Sequence, residues 1–244
     1  MRFLVIPCFN EEQRLEESEV IQSIAVLQCS VVLVDDGSTD RTLEILNRLL
    51  LQFPENIHVL PLRTNVGKGE AVRAGFNYAF EHNASQVLFC DADFAVGPHD
   101  LLRLCKTLEE HAEYKAVIGS RIAMVGSNIE RSTFRHYSGR VFATLVSLIL
   151  RQQIYDTQCG AKVFKVDAEV RRVFSQPFLS RWAFDVEVIG RLLRMKRSGD
   201  NQRIVLELPL LNWSEVAGSK LKLGSQLRTV LELFKIRTSL NKWT

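Results

Sequence analysis

The stretch VLFCDADFAVG, residues 87–97, carries a run of apolar residues directly into two carboxylates, Asp91 and Asp93. A short and continuous apolar run is typical of a strand that is buried on both faces of a sheet. Two carboxylates one residue apart would repel each other at the end of such a strand, unless a cation or a cationic side chain compensated them. Because both can turn toward one hard cation, the stretch predicts a divalent metal site at a strand end.

The same succession of apolar strand, polar turn and helix recurs through residues 1–120. The runs RFLVIP, SVVLVD and KAVIGS alternate with helical stretches such as GKGEAVRAGFNYAFEHN. Apolar strands separated by helices predict an α/β fold with a mostly parallel sheet and helices on both faces. Ligands bind beyond the carboxyl ends of such strands, so the polar residues that follow them should gather at one edge as a site.

The charge of the chain is distributed unevenly between two halves of one integrated domain. Residues 1–120 hold 10 Lys+Arg and 18 Asp+Glu, whereas residues 121–244 hold 21 Lys+Arg and 10 Asp+Glu. The second half is therefore expected to face an anionic partner, such as a phosphorylated lipid or a membrane surface. A solvated basic face is the alternative. Nucleic acid is not expected as a partner, because the sequence contains no recognised nucleic-acid motif.

The cysteines and the apolar runs bear on the compartment. Five isolated cysteines without a CxxC pair argue against a zinc site or a disulfide scaffold and favour a reducing compartment. The longest apolar run, VFATLVSLIL at residues 141–150, is about half the length of a membrane-spanning helix. We therefore expect a cytoplasmic protein that is not secreted and has no transmembrane segment.

Two stretches combine apolar residues with cations, RHYSGRVFATLVSLILRQQ at residues 135–153 and SKLKLGSQLRTVLELFKIRTSLNKW at residues 219–243. Helices of this composition are suited to lying in the headgroup layer, peripherally on the cytoplasmic membrane face. Alternatively, both helices pack on the sheet or form the contact of a homodimer.

Two turns allow both a structural and a functional interpretation. In DDGSTD, Asp36 could cap the next helix, whereas Asp35 stands on the strand end, where it can accept hydrogen bonds from a base or a ribose. In TNVGKGEA, Lys68 could meet a diphosphate at the start of a helix, although the spacing is not that of a P-loop.

In their order along the chain, VIPCFNEE, VVLVDDGSTD, NVGKGEAVRAG and CDADF resemble family-two inverting glycosyltransferases. The later motifs GSR, DTQCGAKVF, WAFDVEV and a basic tail are similar to the dolichyl- or polyprenyl-phosphate beta-glucosyltransferase branch. The resemblance implies a nucleotide-diphospho-sugar transferase fold of the glycosyltransferase-A type. It implies transfer of a hexose, with glucose favoured, from a UDP-sugar such as UDP-glucose to a lipid phosphate, with magnesium or manganese as the divalent metal.

The resemblance also assigns roles to individual residues. It implies a nucleotide-sugar site formed by Pro7, Phe9, Glu11, Asp35, Asp36, Lys68, Arg73, Asp91, Ala92 and Asp93. The implied metal ligands are Asp91 and Asp93, and the implied catalytic residues are Asp185, Arg121 and Asp93. The acceptor phosphate is expected at Arg121, Arg131, Arg135 and Ser138. The sugar pocket and its closing loop are expected to include Gln158, Trp182, Trp213, Ser219 and Lys220.

The role of Asp185 depends on the acceptor. A sugar hydroxyl must lose a proton, so Asp185 would act as its base, whereas a lipid phosphate is already anionic and Asp185 would position the sugar. A structural alternative pairs Asp185 with Arg181 or with the helix N-terminus.

The sequence departs from the family pattern at two motif positions. Ala95 stands where some mannosyl relatives carry a glutamine, which leaves the third metal ligand unassigned and favours glucose. Ala161 stands where glucosyl relatives usually carry a phenylalanine.

Three alternatives to the expected reaction remain. They are a GDP-mannose donor, the same fold glycosylating a soluble hydroxyl acceptor, and a non-catalytic sugar-nucleotide or membrane-binding module.

Overall fold

The computed structural model describes residues 1–129, 133–195, 203–214 and 223–243, with the side chains of all of these except 133–136, 138 and 223–230. The strands are β1 (Arg2–Cys8), β2 (Cys29–Asp35), β3 (Ile57–Pro61), β4 (Gln86–Cys90), β5 (Ala116–Ser120), β6 (Asn128–Ile129), β7 (Ala161–Lys165), β8 (Val205–Pro209) and β9 (Asn212–Trp213). The helices are α1 (Glu17–Leu27), α2 (Thr42–Gln52), α3 (Lys68–Glu81), α4 (Pro98–Glu110), α5 (Thr133–Leu150), α6 (Ala168–Ser175), α7 (Phe184–Arg194) and α8 (Leu223–Leu240).

The main sheet has seven strands in the order β3-β2-β1-β4-β7-β5-β8, and all of its pairs are parallel except those of β7. Alternate residues of each strand point to opposite faces, so Leu4 and Ile6 enter one core cluster while Phe3 and Val5 enter the other. Both faces are covered by helices, as the continuous apolar strands predict.

The antiparallel strand β7 was not anticipated from the sequence, and its register positions part of the site. Cys90, the last residue of β4, lies opposite Ala161, and Phe89 lies opposite Lys162. Gly160, which precedes Ala161, is therefore brought beside the first carboxylate that follows β4. A one-residue change of register would turn the side chain of Lys162 to the other face of the sheet.

Helices α5, α7 and α8 pack against one another through a separate apolar cluster that includes Val146, Val186 and Ile236. The described parts of the two stretches that combine apolar residues with cations thus bury one face within this helix cluster. Apolar side chains on the other faces of α5 and α8 are exposed: Val141, Leu148, Leu231 and Phe234. Among the described residues, the search for helices that are long and apolar enough to cross a membrane finds none.

Candidate active site

The carboxyl ends of β1, β2 and β4 lie side by side and form one edge of the sheet. In the parallel pair of β1 and β2, Cys8 lies opposite Asp35, and β4 borders β1 on its other side. Pro7 and Phe9 are half-buried at this edge. Asp35 is buried, and its carboxylate accepts a hydrogen bond from the backbone N–H of Ser38 at 3.3 Å. The topology therefore brings these predicted nucleotide-binding residues together, as expected for parallel strand ends.

Asp36 builds the loop that leads into α3. Its carboxylate accepts hydrogen bonds from the backbone N–H groups of Val66, at 2.7 Å, and Gly67, at 2.9 Å. Gly67 has a φ of +103°, and a Cβ there would lie 2.6 Å from the Arg181 side chain, so a glycine is required. Burial raises the pKa of the Asp36 carboxyl, although both hydrogen bonds oppose this effect. Asp36 thereby fixes the start of α3, from which Lys68 projects.

The two carboxylates after β4 are half-buried, whereas Ala92 between them is buried in the core cluster. Asp91 Oδ1 lies 2.6 Å from the Nζ of Lys68. Burial opposes ionisation of both groups, but their mutual attraction prevails, so the pKa of Asp91 is lowered and that of Lys68 is raised. A Cβ at Gly160 would lie 2.2 Å from Asp91 Oδ2, so only glycine allows this approach of β7 to the carboxylate.

Asp93 has a cationic partner that the sequence reasoning missed. Arg14 Nη2 lies 2.5 Å from Asp93 Oδ2, and Arg14 Nη1 lies 3.6 Å from Glu11 Oε2. The backbone N–H of Ala95 also donates a hydrogen bond to Asp93 Oδ1 at 3.3 Å. Arg14 follows the polar residues after β1, but nothing in its position along the sequence indicates a contact with Asp93.

Asp185, in the first turn of α7, forms a buried ion pair with Lys162 of β7. The Nζ of Lys162 lies 2.6 Å from Asp185 Oδ1 and donates a hydrogen bond to the carbonyl of Cys159 at 2.5 Å. Burial raises the pKa of the Asp185 carboxyl, although Lys162 and Lys68 both act in the opposite direction. The alternative partner Arg181 donates instead to the loop before α3. Lys162 is thus the described partner of Asp185.

Arg121, which follows β5, is held in a two-pronged ion pair with Asp156. Its Nε lies 2.6 Å from Asp156 Oδ2, and its Nη2 lies 2.8 Å from Asp156 Oδ1. Glu207 of β8 accepts a hydrogen bond from the backbone N–H of Asp156 at 2.6 Å and so fixes the loop. Burial opposes the charge of Arg121, but Asp156 outweighs it and raises the pKa of the guanidinium. Arg121 also lies over the ring of Trp213, which is packed in the core cluster.

An open cleft adjoins Arg121 on the side of α5. Its lining includes Arg140, Tyr155 and Gln158. The guanidinium of Arg140 stacks on the Tyr155 ring at 3.8 Å. Gln158, which was predicted to contact the sugar, is exposed at the rim of this cleft. Two arginines on one small cleft suit an anion that carries several oxygens.

The remaining predicted site residues have other partners, are exposed, or lie outside the described residues. Arg73 pairs with Glu70 one turn earlier on α3, at 2.8 Å, and Glu70 also accepts a hydrogen bond from the backbone N–H of Phe178. Trp182 is exposed just before α7. Arg131, Ser219 and Lys220 lie outside the described residues, as do the side chains of Arg135 and Ser138.

Asp91 and Asp93 fit a divalent metal by their chemistry, since hard cations prefer carboxylate oxygens. The missing side chain of Gly160 leaves room beside Asp91 Oδ2. Within the described ranges, no group of three or more His, Cys, Asp or Glu residues could hold a metal ion. A metal at this edge would therefore take further ligands from phosphate oxygens and water.

The fold is shared with solved glycosyltransferase structures. The chain aligns with a Mycobacterium tuberculosis glucosyl-3-phosphoglycerate synthase in complex with Mn²⁺, UDP and glucosyl-3-phosphoglycerate, at a TM-score of 0.65 and 17% identity, over 98% of this chain and 79% of that one. It aligns with a Pyrobaculum calidifontis mannosyltransferase in complex with GDP-Man and Mn²⁺ at a TM-score of 0.61 and 17% identity, over 96% of this chain and 62% of that one. The predicted fold class is confirmed.

Sequence comparisons give the family. The model of glycosyl transferase family 2 matches residues 3–171. The chain is 32% identical to a dolichyl-phosphate beta-glucosyltransferase of Trichomonas vaginalis, over 96% of this chain and 72% of that protein. It is 34% identical to a dolichyl-phosphate beta-glucosyltransferase of Drosophila melanogaster, over 96% of this chain and 73% of that protein. The chain therefore belongs to glycosyl transferase family 2 and is a glycosyltransferase, as its ordered motifs predict.

Proposed function

We propose that the chain transfers glucose from UDP-glucose to a polyprenyl or dolichyl phosphate, with inversion at the anomeric carbon. Similar proteins along most of the chain are named for transfer to dolichyl phosphate. The observation that carries the proposal is the position of Arg121. Arg121 follows β5 and lies beside an open cleft with a second arginine, Arg140. Its charge helps to lower the pKa of Asp91 at the edge of the sheet. A cleft lined by two arginines, which we propose to bind the acceptor phosphate, thus adjoins the edge that would hold the donor.

The donor would lie along the ends of β1, β2 and β4. Asp35 at the end of β2 is suited to accept hydrogen bonds from the uracil or the ribose. The diphosphate would then reach Lys68, Asp91 and Asp93, where the two carboxylates would hold a magnesium or manganese ion. When bound, such an ion would act as a Lewis acid that offsets the charge developing on the departing diphosphate. Lys68 contributes to the same task because its pKa is raised and it stays protonated.

The reaction needs no proton transfer when the acceptor is a phosphate. A phosphate oxygen of the acceptor attacks the anomeric carbon from the face opposite UDP, and the bond from that carbon to UDP breaks. UDP leaves with the electron pair of that bond. Asp185 then serves to position the sugar, and its ion pair with Lys162 holds the carboxylate in one place. This role differs from that of a base, which a hydroxyl acceptor would require.

The acceptor phosphate would enter the cleft of Arg121 and Arg140, since both guanidinium groups stay charged. Asp156 already accepts hydrogen bonds from Nε and Nη2 of Arg121, so Arg121 would offer the phosphate its remaining N–H groups. The apolar tail of the lipid would leave the cleft along α5. Exposed apolar residues on α5, Val141 and Leu148, suit contact with a membrane surface. We therefore propose that the enzyme binds peripherally to a membrane when it meets this acceptor.

The test is the transfer of radiolabelled glucose from UDP-glucose to a short polyprenyl phosphate in detergent, with Mn²⁺ or Mg²⁺. We expect labelled lipid from the unaltered protein and from Glu55→Ala, an exposed acidic control, and none from Asp93→Ala. Parallel reactions contain GDP-mannose as the donor or a soluble sugar acceptor. Label that appears only in those reactions would overturn the proposed donor or acceptor, respectively. The absence of metal-dependent turnover with every pair would favour a binding module.

A further inference from the structure

The pairing of Arg14 with Asp93 gives the first residue of this inference. The turn that carries Arg14 is fixed by its backbone, since the N–H of Arg14 donates to the carbonyl of Glu11 at 2.9 Å. The N–H of Glu11 in turn donates to Thr42 Oγ1 at 2.8 Å, which ties the turn to the start of α2. The guanidinium is therefore presented to Asp93 from a segment whose backbone is anchored.

Each carboxylate after β4 has its own cation. Asp91 lies 2.6 Å from Lys68, and Asp93 lies 2.5 Å from Arg14. The two cations come from different strand ends, since Arg14 follows β1 and Lys68 begins α3. These side chains compensate the repulsion that two neighbouring carboxylates would otherwise cause at a strand end. They also occupy carboxylate oxygens that a divalent metal would use.

We propose that Arg14 is a built-in counter-ion that competes with the divalent metal for Asp93, and that the donor diphosphate receives the guanidinium when the metal binds. This proposal rests on the proposed function only in taking a nucleoside diphosphate as part of the donor. A metal ion and a guanidinium at one carboxylate repel each other, so a metal alone binds weakly. The diphosphate brings negative charge to both the metal ion and the Arg14 guanidinium. Arg14 thereby couples binding of the metal to binding of the donor.

The coupling makes binding of the two ligands interdependent. Without a diphosphate, the Arg14 side chain stays on Asp93 and limits metal binding. With a diphosphate, the guanidinium has a second anion within its reach and leaves the carboxylate to the metal. By linkage, the metal and the diphosphate must strengthen each other's binding by the same factor. Removal of Arg14 should therefore strengthen the binding of metal alone and reduce this factor.

The experiment measures Mn²⁺ binding by the electron paramagnetic resonance signal of free Mn²⁺, with and without UDP and with no acceptor present. We expect Arg14→Gln to bind Mn²⁺ alone about fivefold to tenfold more tightly than the unaltered protein, and to show a smaller gain on addition of UDP. Arg14→Lys should stay close to the unaltered protein. The matched control is Arg48→Gln, since Arg48 also lies 2.5 Å from a carboxylate, that of Glu17, but on an exposed surface.

A second background separates direct competition from a general effect of charge. In Asp93→Asn, the further change Arg14→Gln should leave the Mn²⁺ affinity unchanged, because the shared carboxylate is gone. The proposal is overturned if Arg14→Gln binds Mn²⁺ alone no more tightly than the unaltered protein, or if its effect persists in Asp93→Asn. Thermal unfolding of each variant checks that it is folded. If Mn²⁺ and UDP bind as described but no lipid is labelled in the transfer assay, only the proposed acceptor fails.

Discussion

Asp185 and Glu187 stand in the first turn of α7, and both are buried beside a cation, yet they belong to different regions of the molecule. Asp185 pairs with Lys162 of β7, close to the edge where the strands end. Glu187 pairs with Arg191 one turn later, at 2.7 Å, and accepts a hydrogen bond from the backbone N–H of Leu179 at 2.8 Å. The first pair faces the candidate site, whereas the second faces the loop between α6 and α7.

The surroundings of the two cations explain the difference. Arg191 donates three hydrogen bonds to the carbonyls of the segment that enters α7, those of Val173, Gln176 and Pro177. Its charge is therefore satisfied by the fold itself. Lys162 donates to one carbonyl, that of Cys159, beside the glycine that approaches Asp91. A buried ion pair thus serves folding in one place and, in our proposal, positions a substrate in the other.

The largest expected effect is on stability, from the pair that serves folding. Arg191→Met leaves the Glu187 carboxylate buried without its cation and removes three hydrogen bonds to carbonyls. The free energy of unfolding should fall by about 3–5 kcal/mol. Urea denaturation followed by circular dichroism measures this, with Arg194→Met on the same helix as the control. A loss below about 1 kcal/mol, the usual value for an exposed pair, would contradict the assignment.

The second prediction concerns the pair at the site. Lys162→Met should lower the free energy of unfolding by about 1–3 kcal/mol, less than Arg191→Met does. The loss is smaller because Asp185, whose pKa burial already raises, can take up a proton, and because the charge of Lys68 remains nearby. The same denaturation experiment tests this, with Lys165→Met as an exposed control on the same strand. A loss as large as that of Arg191→Met would remove the proposed distinction between the pairs.

The third prediction concerns the rate of transfer to a lipid phosphate. Asp185→Asn keeps the size of the side chain but cannot act as a base. Because a phosphate acceptor needs no base, the rate should fall less than about tenfold, which corresponds to about 1.4 kcal/mol in the barrier. Initial rates with UDP-glucose and polyprenyl phosphate measure it. A general base contributes about 10²–10⁴-fold, so a loss in that range would indicate proton abstraction.

The smallest expected effect is on the pH dependence of stability. Burial raises the pKa of Asp185, so the folded protein retains this proton to a higher pH than the unfolded chain does. The stability that this carboxyl contributes is present below its ordinary pKa and is lost as the pH rises through the raised value. Asp185→Asn has no such loss. Its Tm relative to the unaltered protein should therefore increase as the pH rises through the raised pKa, as measured by thermal unfolding from pH 4 to pH 7. A decrease over this range would contradict the direction of the shift.

Much of the edge that we propose for the donor could be predicted from the sequence, because apolar runs that end in polar residues indicate both a parallel sheet and its ligand edge. The ordered motifs then indicated the family. The antiparallel direction of β7 could not be predicted, since a short apolar run carries no information on direction. The approach of Gly160 to Asp91 and the pairing of Asp185 with Lys162 both depend on this direction, so the sequence could not predict them either.

Arg14 and the two carboxylates of α7 show a second limit of prediction from the sequence. Arg14 lies far from Asp93 along the chain, and only the packing of β1 beside β4 brings them together. Asp185 and Glu187 share a motif, a helix turn and a buried environment. Only the position of the partner cation distinguishes them, and that depends on tertiary structure.

The most direct test of this division is the value of kcat/KM for UDP-glucose, per folded molecule, in Asp185→Ala and Glu187→Ala. The assay uses polyprenyl phosphate as the acceptor and takes the folded fraction of each variant from its unfolding curve. We predict that Asp185→Ala lowers kcat/KM by more than about tenfold, and that Glu187→Ala lowers Tm but leaves kcat/KM within about threefold of the unaltered protein. A loss of kcat/KM in Glu187→Ala with little change in Asp185→Ala would contradict the roles assigned to the two carboxylates.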